Sequence, residues 1–349
     1  MIGSKYWNEW LTFPVRSDRC QRSRDNSFAF ADWCSKLDNA SPIWSQNRVQ
    51  AYPSSVDSNC GVVQLDGQPR FQHNWTPEKT KPWAILTIVH GFGDHSGRFA
   101  GMGTSLASLG IRVYATDLIG HGRSPGKQGC IKSYDQLLEE VHLSVQHSHS
   151  LFPRMPHFLF GQSMGGNLVL NLALRRPESI SSVQGIIAGS PMLKSAAMPK
   201  ERIMDAGRWL AEKLPNWRIK APVEVSKLSS DRRAQDAYLM DRLVHRSMSL
   251  RLAANLIDSG LWALERGALL QTPSLLMHGS DDTLTCPVAT QMFAESAGSI
   301  ATFKSWSGCR HDLHDDIQRE RVFAFMTHWM KQHCITSFKM ARSLTAQAA

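Results

Sequence analysis

The pentapeptide Gly161-Gln162-Ser163-Met164-Gly165 constrains this chain more than any other stretch. It follows an apolar run, His157-Phe158-Leu159-Phe160, and precedes a helix-forming stretch from Gly166 to Leu174. A strand that turns this sharply into a helix needs glycines on both sides of the turn, because the two backbones approach closely there. The serine oxygen then projects from the tip. The unpaired N–H groups of the new helix face any negative charge that develops beside it. A Gly/Ser-rich turn without chemistry has the same composition, but the strand before and the helix after favour a nucleophile at Ser163.

A nucleophilic serine requires a base, an acid that orients the base, and donors for the oxyanion. Downstream, Ser274-Leu275-Leu276-Met277-His278 reads as a short apolar strand ending in Gly279-Ser280-Asp281-Asp282. A second strand, Ala301 to Trp306, runs into Ser307-Gly308-Cys309-Arg310-His311. Side chains just past the C-terminal ends of parallel strands share the edge where open α/β sheets hold their sites. On residue type alone either aspartate qualifies as the acid, the other serving as a cap for the helix that starts near Pro287. Of fourteen histidines, position singles out His311 as the base. The most hydrophobic strand, Ala84 to Val89, leads into His90-Gly91-Phe92-Gly93. Its Phe92 N–H and the Met164 N–H are the expected oxyanion donors.

Strand and helix patterns alternate through the body: Arg112 to Thr116, helical Ser133 to Ser150, His157 to Phe160, helical Gly166 to Arg175, Val183 to Ala188. Such alternation predicts an α/β fold, a mostly parallel sheet covered by helices on both faces. Asp66-Gly67, between Val62-Val63-Gln64-Leu65 and Arg70 to Trp75, predicts a hairpin that leads into the sheet. A last helix over Ile317 to His333 would bury Val322, Phe325, Met326 and Trp329 on one face.

Several longer motifs lie in order along the chain. They are HGFGDHSGRF (His90 to Phe99), DLIGHGRSPG (Asp117 to Gly126), GQSMGG (Gly161 to Gly166), LSSDRRAQDAYLMDRLVH (Leu228 to His245), HGSDD (His278 to Asp282) and HDLH (His311 to His314). Together they resemble the monoacylglycerol lipase and lysophospholipase branch of the α/β-hydrolases, over about residues 60 to 334. The resemblance implies an α/β-hydrolase fold with an inserted helical cap and a Ser163–Asp282–His311 triad. In the family pattern H-G-x-x-D the acid is the fifth residue, here Asp282. The family binds the glycerol end of its substrate with polar groups whose matching positions are Asp94, Arg98 and His314. Asp94 stands where the animal enzymes carry a glutamate, and Asp241-Arg242-Leu243 replaces the usual Asp-Pro-Leu of the cap. The activity implied is hydrolysis of a single-chain lipid ester such as a monoacylglycerol, with lysophospholipase or general carboxylesterase activity as the alternative. A catalytically silent binding protein is the reading from another class.

The expected organisation is an N-terminal extension (1–60), a hydrolase core (61–190 and 268–335), a cap (191–267) and a C-terminal tail (336–349). From Met192 to Arg251 there are thirteen Lys/Arg against seven Asp/Glu, within a net charge of +9 for the 349 residues. Ile203, Gly207, Leu210 and Leu214 form a helical stripe, with Met204 and Trp209 beside it. The stripe either packs over the body or stays open to capture lipid, with the basic residues favouring peripheral contact with an anionic membrane. The charge is diffuse and accompanies no nucleic-acid motif. The extension shows neither periodicity nor a signal-peptide core, and no run of about eighteen apolar residues occurs. Seven cysteines without close pairing or metal spacing suggest a reduced, cytoplasmic protein. The mechanism expected requires neither a metal nor an organic cofactor.

Overall fold

The computed structural model describes residues 56–347, with side chains through residue 334. Expectations for residues 1–55 lie outside the described residues. In chain order the elements are β1 (Val56–Leu65), β2 (Gln68–Pro77), β3 (Ala84–Val89), α1 (Ala100–Ser108), β4 (Ile111–Thr116), α2 (Tyr134–Leu151), β5 (His157–Gln162), α3 (Met164–Arg175) and β6 (Val183–Gly189). Then come α4 (Glu201–Lys213), β7 (Arg218–Lys220), α5 (Arg232–Met240), β8 (Ser247–Ser249), α6 (Leu250–Leu264), β9 (Ser274–Gly279), α7 (Pro287–Ala297), β10 (Ala301–Trp306) and α8 (Arg319–Gln347). The hairpin therefore begins at Val56, ahead of residue 61, and the last helix continues past residue 335.

Eight strands form one sheet in the order β1-β2-β4-β3-β5-β6-β9-β10. β1 and β2 pair antiparallel, and β2 pairs antiparallel with β4. Every pairing from β4 through β3, β5, β6, β9 and β10 is parallel. The expected hairpin is formed, with Asp66 at φ 47° and Gly67 at φ 70°, both in the left-handed region that a two-residue turn of this twist demands.

The period-two alternation of β5 shows how the core is divided. Phe158 and Phe160 join one apolar cluster with Phe99, Met102 and Met326, and so face α1 and α8. Leu159 joins the other with Leu137, Leu168, Leu172 and Phe293, facing α2, α3 and α7. In α8, Val322, Met326 and Trp329 are buried as the spacing predicts, but Phe323 and Met330 are buried too, while Phe325 is only half-buried against the Trp306 ring.

The segment between β6 and β9 interrupts the alternation, as its composition predicts. Its helix α4 packs against α6, yet only Ala211 of α4 is buried. Ile203, Trp209, Leu210 and Leu214 are exposed, so the stripe does not pack over the body. No helix among the described residues is long and apolar enough to cross a membrane. The described cysteines, Cys60, Cys130, Cys286, Cys309 and Cys334, are all unpaired.

Candidate active site

Because β3, β5, β9 and β10 run parallel, the loops that leave their C-terminal ends meet at one edge of the sheet. The turn after β5 is the tightest. Ser163 adopts φ 55° and ψ −112°, a region side chains rarely occupy, at a typical cost of about 1–3 kcal/mol. Its backbone is held on three sides: Ser163 N–H donates to Gly189 O at 2.9 Å, and Ser163 O accepts from Asn167 N (2.9 Å) and Met192 N (3.0 Å). The flanking glycines are there for space. A Cβ on Gly161 would press on the Gly165 carbonyl, and one on Gly165 would press on the Val89 carbonyl. The spacing of the pentapeptide thus records a backbone crossing, with no room for a methyl group at either end.

Past Ser163, Met164 is the first residue of α3, where helical N–H groups lack intrahelical partners. The loop after β3 passes directly alongside: a Cβ on Gly91 would lie 3.4 Å from Ser163 Cβ. Among the described residues, neither Phe92 N–H nor Met164 N–H donates to a backbone carbonyl outside regular elements.

On the opposite side, Asp282 Oδ2 lies 2.8 Å from His311 Nδ1. The Asp282 side chain is fully buried and His311 nearly so. A carboxylate can only accept, so His311 carries its proton on Nδ1 and leaves the Nε2 lone pair free. Burial opposes charge on this imidazole, but the Asp282 carboxylate, helped by Asp312 and Asp94, outweighs it and raises the pKa above the ordinary value. Asp282 is likewise desolvated, and the two imidazoles beside it, His311 and His278, more than compensate and hold its pKa far below the usual carboxylate range. Asp281 points elsewhere, accepting from Ser280 Oγ at 2.6 Å. Neither aspartate caps α7: its N-cap is Cys286, with no side-chain bond. Pro287 at the first position needs no cap for a missing N–H.

The two halves of the site are tied together by a residue that sequence reasoning passed over. Gln162 Nε2 donates to His311 O at 2.8 Å, which joins the nucleophile turn to the histidine loop. Ser163 Oγ makes no hydrogen bond with His311 among the described residues. The segment after β6 contributes a second tie, since His311 N and Asp312 N donate to Lys227 O (3.4 Å) and Leu228 O (2.7 Å). That role for Lys227 and Leu228 has no signal in residue spacing, because donors and acceptors are all backbone atoms.

Of the three residues matched to a head-group pocket, Asp94 and His314 are buried, and the Arg98 side chain is only 6% exposed. Arg98 Nε lies 3.0 Å from Asp94 Oδ1, and its Nη2 reaches Asp312 (3.4 Å) and Asp315 (3.3 Å). The guanidinium also lies over the Tyr238 ring of α5, 4.9 Å from its centroid. Burial disfavours this cation, but its three carboxylates outweigh the penalty and raise its pKa. His314 stacks on Phe99 at 4.5 Å, and neither of its ring nitrogens has a hydrogen-bond partner among the described residues.

The sequence profile of the family described as serine aminopeptidase, S33, matches residues 80–318. The chain belongs to that family. A monoglyceride lipase of Mus musculus is 30% identical to this S33 hydrolase over 262 residues, which cover 73% of this chain and 84% of the mouse protein. An uncharacterized abhydrolase domain-containing protein of Dictyostelium discoideum is 32% identical over 279 residues, 79% of this chain but only 29% of that relative's length. The crystal structure of a monoacylglycerol lipase from Paleococcus ferrophilus matches with a TM-score of 0.67 at 26% identity, covering 76% of this chain and 99% of that one. The S33 hydrolase has the α/β-hydrolase fold, and its relatives mark it as a carboxylic ester hydrolase.

Proposed function

We propose that this S33 hydrolase cleaves esters of single-chain lipids, monoacylglycerols first among them, through a Ser163–His311–Asp282 triad. The observation that carries the reading is the buried 2.8 Å contact between His311 Nδ1 and Asp282 Oδ2, at the same sheet edge as the strained Ser163 turn. His311 Nε2 removes the Ser163 proton as Oγ attacks the ester carbonyl. The N–H groups of Phe92 and Met164 receive the oxyanion, a contribution of about 3–4 kcal/mol per donor. His311 then protonates the departing alcohol, and water repeats the sequence on the acyl-enzyme. Asp94, Arg98 and His314 support the alcohol side of the site by fixing its wall: Arg98 pins the oxyanion loop to the histidine loop through Asp94, Asp312 and Asp315.

Residues 191–267 act as the cap in this reading. The exposed apolar side chains Ile203, Trp209, Leu214 and Trp217, with Lys213, Arg218 and Lys220 near them, suit peripheral contact with an anionic lipid surface in the cytoplasm. Charge reversal at those three basic residues should lower co-sedimentation with anionic liposomes; unchanged binding would refute the membrane contact.

The chemistry is tested by labelling with a fluorophosphonate, which should mark the wild type and not Ser163→Ala. The substrate is tested by a chain-length series of monoacylglycerols set against lysophosphatidylcholine and p-nitrophenyl esters. Preference for the monoacylglycerols supports the reading, and preference for either competitor replaces it with the corresponding activity.

A further inference from the structure

Behind the acid lies a second imidazole. His278, at the end of β9, places Nε2 at 2.9 Å from Asp282 Oδ2, the oxygen that His311 Nδ1 reaches at 2.8 Å. The side chains of His278 and Asp282 are both 0% exposed. Since the carboxylate only accepts, His278 must carry its hydrogen on Nε2, and its Nδ1 accepts from the Thr290 hydroxyl at 2.9 Å. Thr285 Oγ1 adds a further contact to the same oxygen at 2.7 Å. The other oxygen, Oδ1, receives Leu284 N (2.7 Å) and Thr285 N (3.2 Å). One carboxylate therefore serves two rings, and its charge can neutralise only one imidazolium.

Burial lowers the pKa of His278, against the pull of Asp282, and the neighbouring His311 disfavours a second positive charge. His278 thus remains a neutral donor while His311 takes the proton. Asp94 and Asp312 also act on this cluster, both favouring the charged form of His311.

We propose that His278 is a positioning residue that sets the basicity of His311 through Asp282. Its Nε2–H draws negative charge from Oδ2, the same oxygen that stabilises the His311 imidazolium. A hydrogen bond to the charged form of an acid makes that acid weaker as a partner for any other donor. Without it, Asp282 would hold the imidazolium more tightly and His311 would give up its proton less readily. The proposal rests on the reading of Asp282 and His311 as acid and base.

The test compares His278→Phe, which keeps a ring but loses the donor, with His278→Gln, which restores an amide N–H. The readout is the pH profile of kcat/KM on a p-nitrophenyl ester, normalised to sites titrated with the fluorophosphonate. For His278→Phe the acidic limb should move up by about 0.5–1 pH unit, with kcat above the limb and KM each changed by no more than about threefold. In His278→Gln the limb should return toward the wild-type position. A limb that stays in place or moves down in His278→Phe, or that moves equally in both variants, overturns the proposal. Should His278→Phe fail to fold, Thr290→Val removes the hydroxyl that fixes the tautomer; a smaller upward shift supports the proposal and an unmoved limb overturns it. These outcomes are distinct from failure of the triad itself, in which the wild type would not label or Ser163→Ala still would.

Discussion

The loops at the sheet edge and helix α4 treat their side chains in opposite ways. At the edge even charged groups are buried, and they are partnered: Asp282 accepts five contacts, and Arg98 is held among three carboxylates. In α4 even large apolar groups are exposed, with Ile203 at 61% and Trp209 at 59%. The first region spends folding energy on geometry, because a buried charge is tolerated where opposite charges and hydrogen bonds compensate it. The second leaves large apolar side chains open to solvent, the surface that the proposed lipid contact would cover. Substitutions at the edge should therefore change activity or stability sharply, while those in α4 should leave both nearly intact and change behaviour at lipid surfaces.

The largest effect is expected at the nucleophile. Ser163→Ala should lower kcat by up to about a millionfold while the folded protein persists, measured as ester turnover beside a thermal melt. Considerable residual turnover would break the assignment of the edge as the reaction centre. Asp282→Asn should lower kcat by about 10⁴-fold, since an amide can present an N–H to His311 and reverse its tautomer. If kcat is nearly unchanged, the buried Asp282–His311 contact has no part in the chemistry. Next, Gly165→Ala places a methyl group against the Val89 carbonyl, a backbone atom that cannot rotate away, and should destabilise the fold by about 3 kcal/mol in urea unfolding. A neutral result would mean that the turn is looser than the crossing implies. Smallest of all, Trp209→Ala should change unfolding free energy by no more than about 0.5 kcal/mol, yet weaken liposome binding. A large loss of stability would show that α4 is packed after all and erase the contrast.

Acid should also reveal the edge. Burial lowers the pKa values of His90, His121 and His245, the last to about 4, so the fold holds them neutral. Between the unfolded value of about 6.5 and those lower values the unfolded chain binds more protons. Stability should therefore fall as pH drops from about 6.5 toward 4, as read by urea midpoints across that range. A flat profile there would mean these imidazoles titrate alike in both states.

Much of the fold was legible because period and punctuation are local. The hairpin at Asp66-Gly67, the strands Ala84–Val89 and Ala301–Trp306, and the helix after Ser163 all follow from residues within a few positions of one another. Ser163, the Asp281–Asp282 pair and His311 stood out as candidates because each follows a strand, and strands of a parallel sheet share an edge, while the preference for Asp282 came from the family resemblance. The fate of the α4 stripe was not legible, since an amphipathic pattern has the same period whether a neighbour covers it or not. Nor was the burial of Arg98, whose carboxylates at Asp312 and Asp315 lie more than two hundred residues away.

By itself, then, the sequence determined a strand-turn-helix with a serine at its tip, a parallel sheet, and a set of groups able to perform acyl transfer. Those depend on short-range sterics and on the hydrophobic period, which each segment carries within itself. Only the tertiary structure decided that one carboxylate serves two imidazoles, that Gln162 joins the serine turn to the histidine loop, and that α4 leaves its tryptophan in the open. Those outcomes depend on which distant groups arrive within about 3 Å of one another, and that is set by how the elements pack rather than by any one segment.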